Sequence, residues 1–399
     1  MLNFAVWLAK WPFGKQKSIL RSQESELEAP NKVKAMVKRE GNHKKPSKAR
    51  LIQFYWNLAT QALFGPQFYA VQKTICHVFR RKYVSSDIDV TFASGMKAGE
   101  VGEWMSGVLA DGAISFYERD GKNWDASMQE MHAKFRQSIY RAFDAELGDL
   151  ASSCDKVKGF AVFPGGPLRY KMDYTVKSGH NDTTLGNSLV NAAIAYAAFK
   201  RLGLRASILV TGDDLLVAAY DPLQVDTVST IEAEYGIQPE ARVFDDYEQV
   251  TFVSGMWNSD GTTMGFVPLP GRLFARLWWS VKPPGAKNTQ PYLRGVSRGL
   301  QPVAGTLPLV RVLLAKFDSA GVGARSDKGL QFRGSDFRFG IDIWRAFERR
   351  YGLSTDEMMD CEEWLKSLPA KPLLLKHPVL DRLMEVDLAD ISDRGATSW

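Results

Sequence analysis

The sequence predicts an α+β fold, with helices backing a small antiparallel sheet, on three observations. Two apolar runs, Ile208-Leu209-Val210-Thr211 and Leu215-Leu216-Val217-Ala218, flank Gly212-Asp213-Asp214 and read as a β-hairpin with both carboxylates at its turn. A third run, Ala113-Ile114-Ser115-Phe116-Tyr117, reads as a strand that ends near a second acidic pair, Asp120 and Asp125. Between them, an Ala- and Leu-rich stretch from about Thr184 to Lys200 has the pattern of a helix. This order of strand, helix and hairpin is that of a sheet with helices packed behind it.

Taken along the chain, the first eleven residues are apolar and aromatic (Phe4, Trp7, Leu8, Trp11) but too short to span a bilayer and without the basic start of a signal peptide. They either pack on the folded body or lie on a membrane surface. Residues 14–50 are dense in Lys and Arg and suggest a hairpin or ordered loop. Residues 51–83 carry aromatics such as Phe54, Phe64, Phe68 and Phe79 at helical spacing, which suits a core. Residues 126–147 predict an amphipathic helix whose apolar stripe is Met128, Met131, Phe135, Ile139 and Phe143. Gly165-Gly166-Pro167 marks a turn before the alternating strand Leu168 to Thr175. After the hairpin come a helix over 223–235, a strand Val250-Thr251-Phe252-Val253, and a mostly helical tail from about 266.

At 399 residues and 45% hydrophobic, the chain can bury a large core. About 100–200 residues per domain gives two or three domains or one large multi-lobed unit. A net charge of +6 suits a polyanionic partner without requiring one. Three scattered cysteines with no C-x-x-C argue against zinc and against a disulfide framework. No G-x-x-x-x-G-K-[ST] phosphate loop is present.

The chemistry rests on carboxylates at strand ends. Such clusters suit hard divalent cations, which take oxygen ligands. Two cations about 3.5–4 Å apart would clamp the attacking and leaving oxygens of a phosphoryl transfer. Asp120 stands at a strand tip, with Asp125 five positions on. Next comes Ser178-Gly179-His180-Asn181-Asp182-Thr183-Thr184-Leu185-Gly186-Asn187, a loop leading into the helix. Asn187 is a polar residue in an apolar helix and needs a partner if buried. The Asp213-Asp214 pair completes the set. His180 could contact nucleic acid or be structural; Trp104 and Trp124 read as packing.

Together, D-x4-D, S-G-x3-T-x3-N and G-D-D, in that order, resemble the palm motifs of RNA-dependent RNA polymerases of positive-strand RNA viruses, in particular the tombusvirus-like and nodavirus-like group. Val37 to Glu40 and Lys48 to Gln53 resemble that group's basic fingertip motif, and Glu248 to Gly255 its primer-contacting strand. The resemblance covers about residues 33–257. It implies a right-hand polymerase: an N-terminal extension (1–30), fingers (31–112), palm (113–130), a fingers/palm connection (131–177), palm (178–265), a helical thumb (266–385) and a tail (386–399).

It also implies roles. Asp120, Asp213 and Asp214 would be catalytic ligands for Mg²⁺, or Mn²⁺ in its place. Asp125 and Asn187, with Ser178, Gly179 and Thr183 assisting, would read the ribose 2′-hydroxyl, and Lys38, Arg39, Lys48 and Arg50 would cradle the triphosphate. Taken alone, those four cations read as a solvated basic loop. Template and product RNA and nucleoside triphosphates are the implied partners, together with a host-membrane surface or other viral replication proteins, in the host cytoplasm. Some polymerases place a Lys after the hairpin as general acid, but here no Lys falls between Lys200 and Lys282 and Arg242 is the nearest cation in that region. A reverse transcriptase would carry a bulky aromatic in place of Asp125. A non-catalytic RNA-binding scaffold would not need all three metal-binding carboxylates.

Overall fold

The structure is a computed structural model that describes residues 4–27, 29–37, 51–55, 58–80, 87–259, 261–278, 285–305, 307–318, 342–371 and 375–389. Two short helices, α1 (Phe4–Ala9) and α2 (Phe13–Ser22), precede strand β1 (Lys32–Val37). Strand β2 (Leu51–Tyr55) pairs antiparallel with β1 and leads to helix α3 (Leu58–Val78). Trp7 is buried against α3 at Gly65, where a Cβ would stand 2.3 Å from the indole. Of the two expectations for the N-terminal aromatics, the structure takes packing on the body. No helix among the described residues is long and apolar enough to cross a membrane.

Strand β3 (Ile88–Phe92), helix α4 (Ala98–Ala110), strand β4 (Ser115–Gly121) and the one-turn helix α5 (Trp124–Ser127) follow. Helices α6 (Glu130–Phe143) and α7 (Ala145–Cys154) lead to the hairpin β5 (Lys156–Phe163) and β6 (Gly166–Asp173). Then come α8 (Thr183–Leu202), the hairpin β7 (Ala206–Thr211) and β8 (Asp214–Ala219), helix α9 (Val225–Glu234) and strand β9 (Pro239–Phe244). The hairpin β10 (Gly255–Ser259) and β11 (Met264–Pro268) precedes helices α10 (Pro270–Arg276), α11 (Thr289–Ala304), α12 (Val310–Phe317), α13 (Asp342–Tyr351), α14 (Thr355–Ser367) and α15 (Pro378–Leu388).

The central sheet has the order β3-β7-β8-β4-β9, with β3 parallel to β7 and the other pairs antiparallel. Its middle strands are buried on both faces, so they read as continuous apolar runs rather than alternating ones. Ile208, Val210, Leu215 and Val217 pack with Phe68, Tyr140, Leu189 and Phe199 on one face. Leu209 and Leu216 pack with Trp104, Met105, Trp257 and Phe266 on the other. A second sheet, β2-β1-β5-β6, joins the N-terminal strands to the hairpin after α7. A separate apolar cluster links β10, β11 and the C-terminal helices, from Leu293 and Val296 to Leu380 and Leu383. The mixed α/β character agrees with the sequence, as do the helix at 183–202 and the strands at 115–121, 166–173 and 206–219.

Two expectations are corrected. Residues 250–253 are not a strand. Val253 and Ser254 adopt φ of +48° and +60° in a tight turn closed by the bridge between Phe252 and Gly255, and the strand begins at Gly255. Thr251 is held in place by donating its N–H and Oγ1 to Glu118, at 3.0 and 2.6 Å. The second correction concerns α6, whose expected apolar stripe is buried only at Met128, just before the helix, and in part at Ile139. Met131, Phe135 and Phe143 are 45%, 38% and 46% exposed, whereas His132, Arg136, Gln137 and Tyr140 are buried. Arg136 spans two buried carboxylates, Asp155 at 3.1 Å and Asp182 at 2.9 Å, and Gln137 donates to Asp155 at 2.6 Å. Leaving two buried carboxylates unpaired costs more than leaving Met and Phe partly in water.

Candidate active site

The turn between β7 and β8 is two residues long, Gly212 and Asp213, with Thr211 facing Asp214 as the last pair. Gly212 takes φ +63°, a conformation a Cβ would disfavour. The ladder between β4 and β8 ends with Arg119 opposite Leu215. Asp120 and Asp214 are the next residues beyond that last pair, near enough for the charge of Asp120 to act on Asp214. Asp120, Asp213 and Asp214 are all solvent-accessible. The Asp214 carboxyl is nonetheless held well above the usual carboxylate range, first by loss of hydration among the surrounding protein and then by the charges of Asp213 and Asp120.

Three residues the sequence did not single out hold this hairpin. Ser188 on α8 accepts the Gly212 N–H at 2.7 Å while donating to the Thr184 carbonyl at 2.6 Å. Asn191, one turn on, donates Nδ2 to the Gly212 carbonyl at 3.1 Å. Its Oδ1 accepts from Arg119 Nη2 at 2.7 Å, which fixes the orientation of the amide, because arginine can only donate. Arg119 is itself paired with Glu232 of α9 at 3.1 Å, with both side chains fully buried, and Tyr117 donates to the same carboxylate at 2.7 Å. Helix α8 thus holds the strand carrying Asp120 and the turn carrying Asp213. The sequence signal was there: Ser188 and Asn191 are polar interruptions at i+1 and i+4 from Asn187 in an apolar helix.

The second constellation assembles beside it. Asn123 in the left-handed region (φ +52°) starts α5, and Gly121 leaves room for the Trp124 ring, which a Cβ would meet at 2.4 Å. Asp125 is thereby set facing the loop before α8. Its Oδ2 accepts from Ser178 Oγ at 3.0 Å, and its Oδ1 accepts from Asn187 Nδ2 at 3.0 Å. Asn187 is buried, and its Oδ1 has no hydrogen-bond partner in the protein. Gly179 donates its N–H to the Gln53 carbonyl at 2.7 Å, and a Cβ there would fall 2.7 Å from that of Phe54, so the loop packs directly on β2. Thr183 Oγ1 donates to the carbonyls of Lys177 (2.5 Å) and His180 (3.0 Å), closing the loop.

His180 is buried, 2.9 Å from Asp182, with its ring tilted against that of Tyr55. The Asp182 carboxyl, despite its burial, is driven well below the usual range by His180 and Arg136. Trp104 and Trp124 are buried, as expected. Lys38, Arg39, Lys48 and Arg50 lie outside the described residues; the strands they adjoin meet at the pair Val37 and Leu51.

The expectation about the nearest cation is corrected too. Arg242 faces Glu118 across the edge of the sheet. The cation that counters the rise at Asp214 is Arg272, at the start of α10, which donates to Ser254 Oγ at 2.8 Å and to the Asp387 carbonyl at 2.8 Å. Arginine brings charge but no transferable proton at neutral pH.

Among the described residues, no group of three or more His, Cys, Asp and Glu side chains is gathered closely enough to hold a metal ion. The chemistry of the donor set still suits a hard cation: it is all oxygen and solvent-accessible, and the charges of Asp213 and Asp120 bear on Asp214.

A sequence profile described as RNA dependent RNA polymerase matches residues 7–285, more than half of the chain. The chain belongs to this RNA-dependent RNA polymerase family. Among its relatives is an RNA-directed RNA polymerase of Melon necrotic spot virus, 26% identical over 211 residues, covering 50% of this chain and 26% of that protein. The RNA-directed RNA polymerase of Red clover necrotic mosaic virus is 33% identical over 106 residues, covering 24% and 14%. Replicase polyprotein 1ab of Beet yellows virus (isolate Ukraine) is 24% identical over 290 residues, covering 68% and 9%. The matches thus span about a quarter or less of the curated relatives' lengths. The polymerase family expected from the motifs is the one found.

Proposed function

We propose that the chain is a template-directed RNA polymerase that joins ribonucleoside triphosphates to an RNA 3′-hydroxyl, in replication of a positive-strand viral genome. The observation that carries this reading is the meeting of two constellations on one helix: Asn187 of α8 binds Asp125, while Ser188 and Asn191 of the same helix hold the turn of Asp213. In the bond-forming step the 3′-oxygen attacks the α-phosphorus, the bond to the β-phosphate oxygen breaks, and pyrophosphate leaves. Asp120, Asp213 and Asp214 would hold Mg²⁺ or Mn²⁺. A bound pair of such ions supplies acidification of the 3′-hydroxyl and neutralisation of the leaving group. Asn187 Oδ1 accepts the 2′-hydroxyl of the incoming nucleotide, and Asp125 and Ser178 fix the Asn187 amide and the loop around it. A nucleotide without that hydroxyl leaves Asn187 unpaired and is disfavoured.

In this reading the central sheet and α8 are the palm, the β2-β1-β5-β6 sheet belongs to the fingers, and the helices from α10 onward are the thumb. Lys38, Arg39, Lys48 and Arg50, outside the described residues, take the triphosphate. Template and product RNA are the macromolecular partners, in the host cytoplasm, in complexes with other replication proteins or a membrane surface.

Extension of a primed RNA template by purified protein tests the reading. Ribonucleotides are incorporated in preference to 2′-deoxynucleotides, and Asn187→Ala reduces that preference by about tenfold or more through a raised KM for ribonucleotides. Preference for deoxynucleotides by the unaltered chain would overturn it in favour of reverse transcription.

A further inference from the structure

Asp387, in the last turn of α15, is a carboxylate buried where three helices meet, only 2% exposed. A buried charge is costly unless it is paired and hydrogen-bonded, and both neighbouring helices answer it. From α10, the Gly271 N–H donates to Oδ2 at 2.7 Å. From α13, the Tyr351 hydroxyl donates to both carboxylate oxygens at 3.2 Å, and Arg350 Nε stands 3.7 Å from Oδ1. The helices meet so closely that a Cβ on Gly271 would fall 2.0 Å from the Leu383 carbonyl oxygen of α15.

Two arginines run from this residue to one turn. Arg350, paired with the Asp387 carboxylate, donates Nη1 to the carbonyls of Glu248 and Gln249 at 2.8 and 3.3 Å. Arg272 donates Nε to the Asp387 carbonyl and Nη1 to Ser254 Oγ, both at 2.8 Å. The stretch 248–254 is thus gripped at both ends by cations tied to the C-terminal helix. Its middle is tied to the candidate site, since Thr251 donates to Glu118. Glu118 and Asp120 are two apart on β4, so they leave the same face of the strand, roughly 7 Å from each other along it. Arg272, at the far end of the turn, is near enough for its charge to act on Asp214.

We propose that Asp387 is a positioning residue for polymerisation: through Arg350 and Arg272 it fixes the 248–254 turn beside Asp120, and the turn aligns the attacking 3′ end of the RNA. This rests on the polymerase reading. It makes the rate of bond formation depend on a carboxylate more than 170 positions after Asp213 in the sequence, on a helix that touches no substrate.

Single-turnover extension of a primed RNA by the full chain tests it, because unfolded molecules lower the amplitude whereas a misplaced 3′ end lowers the rate. Asp387→Asn keeps the side-chain shape and loses the charge that holds Arg350. It slows the rate about tenfold, with the amplitude kept and KM for nucleotides within about twofold. Arg272→Lys keeps a charge near Asp214 but cannot hold Ser254 and the Asp387 carbonyl together, and it slows the rate to a similar degree. The two combined are at most about twofold slower than the slower single variant, because both act on one turn. A parental rate in Arg272→Lys would overturn the proposal whether or not Asp387→Asn folds. In folded Asp387→Asn, a parental rate or a loss confined to amplitude would do so too, as would losses that multiply in the double variant. An unaltered chain that extends no RNA fails the polymerase reading, whereas an active one with unslowed variants fails this proposal alone.

Discussion

Asp213→Asn reduces nucleotide incorporation by about a thousandfold, or ~4 kcal/mol in the barrier, while leaving RNA affinity within about twofold. The substitution keeps shape and hydrogen-bonding capacity and removes one negative charge. Asp213 is an exposed turn residue, and the bonds that set the turn run to the backbone of Gly212, so the hairpin has no reason to move. What disappears is charge at the point where Asp120 and Asp214 already crowd one another. In chelator the variant is at least as stable as the parent, since one repulsive charge beside Asp214 is gone. Primer extension with matched RNA-binding and thermal-unfolding measurements checks all three statements. Activity within a few fold of the parent would remove Asp213 from the chemistry.

Arg119→Met lowers stability by about 3–5 kcal/mol, because it strands the Glu232 carboxylate in the interior. It also leaves Asn191 Oδ1 and one side of the Glu232 acceptor set without donors, and so loosens the tie between the Asp120 strand and the Asp213 turn. Urea unfolding measures the first effect. Pairing it with Glu232→Leu recovers part of the stability, since no buried charge is then uncompensated, but kcat stays depressed while KM for nucleotides changes little, because Asn191 still lacks its anchor. If the single variant unfolded at the parent's urea midpoint, Glu232 would have to be paired or hydrated in some other way.

Much of this site was legible from the sequence because its parts are short strings of chemically distinctive residues with a readable local structure. The hairpin bearing Asp213 and Asp214 is framed by two apolar runs, and the helix after Ser178 by an Ala-rich stretch, so type and position followed. Asn187 stood out as a polar residue in an apolar helix, and the structure supplies its partner, Asp125. The misreadings share a different cause. Amphipathic periodicity assumes that apolar side chains go inward, and α6 breaks that assumption because Arg136 and Gln137 answer carboxylates from Asp155 and Asp182, distant in sequence. The stretch 250–253 has strand-like residues, yet Val253 and Ser254 turn the chain back, and its tie to Glu118 crosses more than a hundred positions. Arg272 was invisible for the same reason: its approach to Asp214 depends on how α10 docks against Asp387 and Ser254. Strands β3 and β9 went unread because short strands at a sheet edge carry too few residues for a clear period.

In the proposed site, carboxylates from two strands, Asp120 on one and Asp213 and Asp214 on the other, share divalent cations. Diffraction from crystals grown with Mn²⁺ and a nucleoside triphosphate, collected to locate manganese by its anomalous signal, addresses it directly. Manganese peaks ligated by both Asp120 and Asp213, absent in Asp213→Asn, are the expected result. Manganese found elsewhere on the chain, with none between those two side chains, would contradict it.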